Sequence, residues 1–162
     1  MVRTGIGFDA HAFSGDPARP LVLGGVSIPG QAGLAGHSDA DVLSHAVADA
    51  LLGAAGLGDL GSRFPGDARW KDALSLDILR ETSSLVAGAG YGIVNVDVSV
   101  VAETPRLAPY RDRMRAGVAG ALGVTEDAVS VKATTTDHLG FTGRGEGMAA
   151  LAVATIRAVD RP

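Results

Sequence analysis

The sequence predicts a single α+β domain, with one mainly antiparallel or mixed sheet carrying helices on one face. Three observations lead there. Segments with the two-residue alternation of strands interleave with segments whose apolar residues recur at helical spacing. At 162 residues the chain suits one domain able to bury a real core, and no linker or compositional break divides it. Its apolar residues are plentiful and small, so the second face of the sheet is expected to pack against copies of the chain.

Taken in order, Val2-Arg3-Thr4-Gly5-Ile6-Gly7-Phe8 alternates as a strand and sets Asp9 and His11 on one side. Leu21 to Pro29 gives two short strands joined at Gly24-Gly25. A helix follows from about Ser38, with Ser38 as N-cap and Asp39 and Asp41 in the first turn. Val42, Leu43, Val47, Ala50, Leu51 and Ala54 form its apolar side, and Asp41, His45 and Asp49 a polar ridge. Gly56 to Asp67 reads as a glycine-rich loop, and a second helix runs from Asp72 to about Ala87, stopped by Gly88 and Gly90.

Val94, Val96, Val98 and Val100 mark the strongest strand. Pro109 opens a third helix that Gly123 ends after Leu122, and Val129 to Ala133 returns as a strand. The apolar tail, Met148 to Val159, leans to strand through Leu151, Val153 and Thr155. This alternation is expected to fold in a ferredoxin-like βαβ arrangement.

Cysteine is absent, so disulfides and thiolate metal sites are excluded. No basic segment leads into an apolar core at the N-terminus, and no apolar stretch is long enough to span a bilayer, so a cytoplasmic protein with no membrane partner is expected. A net charge of −4 without a basic run disfavours nucleic acid, and aromatic residues are too sparse for a stacking platform.

Three of the four histidines lie in the first 45 residues beside four aspartates. Asp9, His11 and His45 together offer two nitrogens and one oxygen. That donor set leaves a fourth position open, as in a catalytic zinc site. Ordinary hydrogen-bonded histidines have the same spacing, so the residues alone leave metal binding and packing both open.

The segment Lys132 to Gly147 is the second unusual stretch. It leaves a strand as Thr134-Thr135-Thr136-Asp137 and ends in glycines around Arg144. Hydroxyls, backbone N–H groups and glycines suit a phosphate or nucleotide cradle. A solvated turn with Arg144 paired to Glu146 fits the same residues. The Walker spacing is missing, and Gly5-Ile6-Gly7 lacks the third glycine and following helix of a dinucleotide fingerprint.

Four separated motifs then occur in order: Gly5-Ile6-Gly7-Phe8-Asp9-Ala10-His11-Ala12-Phe13, His37-Ser38-Asp39-Ala40-Asp41 with His45, Gly58-Asp59-Leu60-Gly61 with Phe64-Pro65, and Lys132 through Gly147. In these the chain resembles, over nearly its whole length, the 2-C-methyl-D-erythritol 2,4-cyclodiphosphate synthases of the non-mevalonate isoprenoid pathway. The resemblance implies a homotrimer with active sites between neighbouring subunits and a zinc ion on Asp9, His11 and His45. It gives His37 and Ser38 to the methylerythritol phosphate end of the substrate and Asp59 with Gly61 to the ribose, and counts Leu60 among the substrate contacts. Phe64, Pro65, Gly66 and Asp67 fall in the loop over the methylerythritol group. Ala102, Glu103, Thr104, Pro105, Arg106, Leu107 and Ala108, with Thr134, Thr135, Thr136 and Asp137, would hold the cytidine diphosphate. Phe141 and Arg144 complete the implied contacts, and Arg144 faces either substrate phosphate or the trimer axis, where some members hold an isoprenoid diphosphate. No role is implied for His138.

The family's reaction is an intramolecular phosphoryl transfer that closes a cyclic diphosphate and releases CMP. The attacking phosphate is already an anion, so no Ser/His/Asp or Cys/His arrangement is required. Two phosphate charges ~4 Å apart repel by roughly 1 kcal/mol in water and several-fold more at low dielectric. Zinc, with a magnesium or manganese ion across the diphosphate, would offset that repulsion, and His37 and Thr135 would hydrogen-bond the developing charge. Two departures stand out: where the family reads FPDTDP this chain has Phe64-Pro65-Gly66-Asp67-Ala68, one residue shorter, and Arg106 replaces a common lysine. A zinc hydrolase and an isoprenoid-binding regulator without turnover are the competing readings.

Overall fold

The computed structural model describes residues 1–66, 70 and 72–159. Its elements run β1 (Val2–Ala12), β2 (Pro20–Leu23), β3 (Val26–Ala32), α1 (Val42–Ala55), α2 (Leu60–Arg63), α3 (Ser75–Gly88), β4 (Tyr91–Val101), α4 (Arg111–Leu122), β5 (Val129–Thr134), α5 (Gly140–Gly143) and β6 (Gly147–Ala158). Among the described residues, β1, β6, β4 and β5 form one sheet in that order, and β2 and β3 form a separate hairpin. β6 is antiparallel to both β1 and β4, whereas β4 and β5 are parallel, so the sheet is mixed.

The expected α+β class with helices on one face holds, but the ferredoxin-like arrangement does not. That motif follows β-α-β-β-α-β, with its direct strand pair in the middle. Here α4 carries the chain between the parallel strands β4 and β5, as parallel pairing requires. β6, which follows β5, then inserts between β1 and β4.

One face of the sheet is covered. Met148, Ala150, Ala152, Ala154 and Ile156 of β6 point into the core, while Leu151 and Val153 between them stay on the open face. Helix α1 is buried along almost its whole surface, touching β1, β6, β4, α3, α2 and β2. The expected polar ridge is therefore not a solvated face. Asp41 is fully buried as the helix N-cap, and Asp49 accepts a bond from the Leu60 amide at 3.0 Å.

The closest layer contact is made by Gly5 and Gly7. A Cβ on Gly5 would lie 2.1 Å from the Ala50 carbonyl oxygen, and one on Gly7 2.0 Å from that of Ala46. Alternate strand residues advance about 6.7 Å and four helical residues about 6.0 Å, so the two ladders keep step. The glycine pair that superficially suggested a nucleotide fingerprint thus seats a helix.

Several boundaries differ from the expectation. Helix α1 begins at Val42 rather than near Ser38 because Ala40 is left-handed (φ 56°), and Asp41 caps it by accepting from the Ser44 amide at 3.0 Å. Helix α3 begins at Ser75 rather than Asp72, which is also left-handed (φ 58°). The expected loop after Gly56 contains α2, which Asp59 and Ser62 start with reciprocal capping bonds. The Gly24-Gly25 turn, the stop at Gly123 and strand β6 lie where expected.

Gly7→Ala should destabilise the protein by roughly 1–3 kcal/mol through overpacking, whereas Gly15→Ala, which meets nothing within 4 Å, should stay near wild type. Urea unfolding of both variants checks this; equal stabilities would contradict the close approach.

Candidate active site

Asp9 and His11 leave β1 on its inner face, two residues apart, directly beyond the glycine contacts. His45 comes from the first turns of α1 and is almost fully buried. Asp9 Oδ2 lies 3.0 Å from His11 Nε2 and 3.0 Å from His45 Nδ1, and the two nitrogens are 3.4 Å apart. A tetrahedral ion with bonds of about 2.0–2.1 Å sets its ligands about 3.3–3.4 Å apart. The three atoms converge in the way such an ion needs, and among the described residues this is the group of histidines and carboxylates that could hold one.

Burial alone would raise the Asp9 carboxyl, but hydrogen bonds and charge from His11 and His45 outweigh it and hold Asp9 well below the ordinary carboxylate range. The Asp9 hydrogen bond lifts His11 above its ordinary value, against burial and the Arg19 charge, which lower it. His11 Nδ1 lies 2.7 Å from the Ala35 carbonyl oxygen, to which it donates, leaving the Nε2 lone pair for an ion.

Around the triad is a hollow of about 250 Å³ lined also by His37, Ser38, Leu60, Phe64, Pro65, Gly66, Trp70 and Ile78. Phe64 and Trp70 meet edge to face with ring centroids 4.8 Å apart, forming an aromatic wall. His37 is exposed, while Ser38 is buried with its hydroxyl 3.2 Å from His45 Nε2. Arg19 hydrogen-bonds the Leu34 and Ser38 carbonyls and so braces the segment that presents His37. Asp67 of the expected loop lies outside the described residues.

A second hollow, about 430 Å³, is lined by residues 102–108 and 133–135. It brings together the expected residues from Ala102 to Ala108 with Thr134 and Thr135, and Arg106 supplies its cation. Glu103 has a role that spacing did not show. Its Oε1 accepts from the amides of Thr136 at 3.2 Å and His138 at 3.1 Å, holding the loop in which Asp137 and His138 are left-handed. The Thr136 hydroxyl donates to the Leu139 carbonyl at 2.6 Å and meets the buried Thr142 hydroxyl at 3.0 Å.

Asp59, Leu60 and Gly61 sit at the start of α2, where Asp59 Oδ1 accepts the Ser62 amide at 2.8 Å. Phe141 and Arg144 line neither hollow; Phe141 lies in α5, and Arg144 pairs with Glu146 through contacts of 2.7 and 3.2 Å. Reasoning from spacing missed Ala35, Arg19 and Ser75 altogether, and read Asp39 as a first-turn residue without its bonds to Ser75. Their contacts to the site span 15 to 36 positions, beyond any local pattern.

Fold and site together define a mixed-sheet α+β protein with a two-histidine, one-carboxylate centre and a separate nucleotide-sized hollow. A family model described as the YgbB family matches residues 2–157, and the chain belongs to that family. A relative from Moorella thermoacetica, named 2-C-methyl-D-erythritol 2,4-cyclodiphosphate synthase, is 60% identical over 156 residues, covering 96% of this chain and 94% of its own length. The bifunctional IspDF of Campylobacter jejuni superposes with a TM-score of 0.93 at 43% identity over 99% of this chain, which spans 43% of that longer protein. A CDP complex of Plasmodium falciparum IspF matches with a TM-score of 0.85 and 31% identity, covering 98% of this chain and 97% of its own.

The raised His11 and depressed Asp9 imply a pH window for the metal-free protein. Asp9 contributes stability above about pH 3.9, lost as pH falls towards its depressed folded value; His11 contributes fully below about pH 6.5, lost as pH rises through its raised folded value. The stability gap between chelated wild type and Asp9→Asn should therefore be widest from about pH 4 to 6.5. Urea unfolding across pH reads it, and a gap that grows towards pH 9 would contradict the charged pair.

Proposed function

We propose that the chain converts 4-diphosphocytidyl-2-C-methyl-D-erythritol 2-phosphate to 2-C-methyl-D-erythritol 2,4-cyclodiphosphate and CMP, as a cyclising phosphorus–oxygen lyase of isoprenoid precursor synthesis. One observation carries the reading. In a chain 60% identical to a synthase of that name, the metal-type triad and a nucleotide-sized hollow lie at opposite edges of one sheet.

An oxygen of the 2-phosphate bonds to the β-phosphorus as the bridge to the α-phosphorus breaks, and CMP leaves with the bridging oxygen. Asp9, His11 and His45 would hold zinc, which together with a magnesium or manganese ion would supply positive charge against phosphate repulsion. The chain's own part is positioning and hydrogen bonding. Residues 102–108 and 133–135 seat the cytidine diphosphate, with Arg106 at its phosphates, and the Asp59 to Gly61 turn meets the ribose. His37 and Ser38 hold the methylerythritol phosphate beside the aromatic wall, where Pro65 and Gly66 narrow the hollow. His37 and Thr135 donate to the charge that grows on the transferring phosphoryl group.

The same geometry supports a homotrimer. Strand β1 bears Asp9 and His11, β5 leads into Thr135, and β6 and β4 lie between them, so three strand spacings of about 4.8 Å separate the two halves. A neighbouring subunit's β5 end can complete the site around the triad of this one. Ile6, Phe8, Leu151 and Val153 are 66%, 61%, 42% and 39% exposed on the open face, with Ile6 opposite Val153 and Phe8 opposite Leu151. They supply an apolar surface for that packing. The reading extends to a cytoplasmic enzyme, and among the described residues no helix is long and apolar enough to cross a membrane. In the trimer, Arg144 would face substrate phosphate or an isoprenoid diphosphate on the axis.

Phosphorus NMR of the protein with substrate and magnesium should show the cyclic diphosphate and CMP, lost on zinc chelation; a linear diphosphate would point to a hydrolase instead. His45→Ala should lose zinc and turnover together, and Thr135→Ala should keep zinc and lose rate. Co-expressing those two variants should restore about a quarter of wild-type activity, because a shared site then recovers one intact pairing in four. No recovery would place both halves in one chain.

A further inference from the structure

The metal-directed atom of His45 is Nδ1, which sits beside Asp9 Oδ2 and His11 Nε2. To hold an ion, Nδ1 must offer its lone pair, so the ring proton must be on Nε2. Two hydroxyls face Nε2: Ser75 Oγ at 3.1 Å and Ser38 Oγ at 3.2 Å. They are not equivalent. The Asp39 carboxylate grips Ser75 at two points, accepting its amide at 2.9 Å on Oδ2 and its hydroxyl on Oδ1. Ser75 has thereby committed its proton and turns only lone pairs towards His45. Ser38 accepts the Ala40 amide at 3.1 Å, and its own proton remains free to satisfy either imidazole tautomer.

We propose that Ser75, clamped by Asp39, is a positioning residue that holds His45 in the Nε2-protonated tautomer needed for metal binding. The inference rests on the metal reading of Asp9, His11 and His45 and deepens it. It assigns work to two residues outside that reading, one at the start of α3 and one in the turn before α1. Ser75 is fully buried, and its contact with His45 crosses 30 positions, so it couples the metal face of α1 to the N-terminus of α3. His11 is oriented separately by the Ala35 carbonyl.

The test is zinc affinity of the purified protein, measured by competition with a chromophoric chelator, together with circular dichroism for the fold. Ser75→Ala should weaken zinc about 10–100-fold, and Ser75→Thr, which keeps the hydroxyl, should recover most of that loss. Asp39→Asn is the sharper variant, since it preserves size. Its amide can donate to Ser75 Oγ, freeing the Ser75 proton to point at His45 Nε2 and favour the wrong tautomer; zinc should weaken to a similar extent. In the zinc-loaded wild type a downfield proton resonance from His45 Nε2–H is expected, shifted upfield in Ser75→Ala. Wild-type affinity in Asp39→Asn overturns the proposal even if Ser75→Ala misfolds or loses zinc, because loss in Ser75→Ala alone would reflect packing. A wild-type protein that binds no zinc overturns the metal reading itself, and is told apart from failure of the Ser75 relay by that measurement alone.

Discussion

Everything at this site depends on how closely α1 lies on β1. Gly5 and Gly7 remove the side chains that would hold the helix away, and Ala46 and Ala50 meet them with backbone. Because the helix and strand repeats nearly match in length, the register persists one step further, to where the small residues give way to Asp9, His11 and His45. Three polar side chains then occupy the space that glycine and alanine fill below them. A helix seated an ångström or two higher would still bury a core, but it would not bring two imidazoles and a carboxylate to within 3.4 Å of one another.

That seating is reinforced by polar groups that a purely apolar core would lack. Asp41 is fully buried, and burial raises its carboxyl despite bonds from the Ser44 amide and hydroxyl and the Gly25 amide. It pins the start of α1 to the turn of the β2–β3 hairpin. Two residues earlier Asp39 ties the same turn to α3, and Arg19 ties it to the carbonyls of Leu34 and Ser38. The segment from Leu34 to Asp41 is irregular in backbone but anchored from three sides, so His37 and Ser38 are carried on a braced stretch.

The division of the site follows from topology. With β6 and β4 between β1 and β5, the metal-type half and the threonine half belong to opposite sheet edges. In the proposed trimer, a site shared between copies would avoid any need for one chain to bend its sheet until the edges meet. Glu103 keeps the threonine half ordered by satisfying loop amides from within the chain.

Local signals in the chain suffice for the strand periodicities, the Gly24-Gly25 turn, the break at the glycine-rich loop from Gly56, the stop at Gly123, and the candidate ligands on strand and helix. The sequence also carried the family, because four motifs in order identify a chain even when each is short. The helix starts expected near Ser38 and Asp72 differ from the observed ones because left-handed backbone at Ala40 and Asp72 is not signalled by residue type: alanine rarely adopts it and aspartate only occasionally. Tertiary structure alone decided the strand order and the parallel pairing of β4 with β5. It alone joined Ser75 to both His45 and Asp39, and Glu103 to the threonine loop. Those contacts link residues 30 to 36 positions apart, and no repeat of 2 or 3.6 residues encodes a partner at that distance.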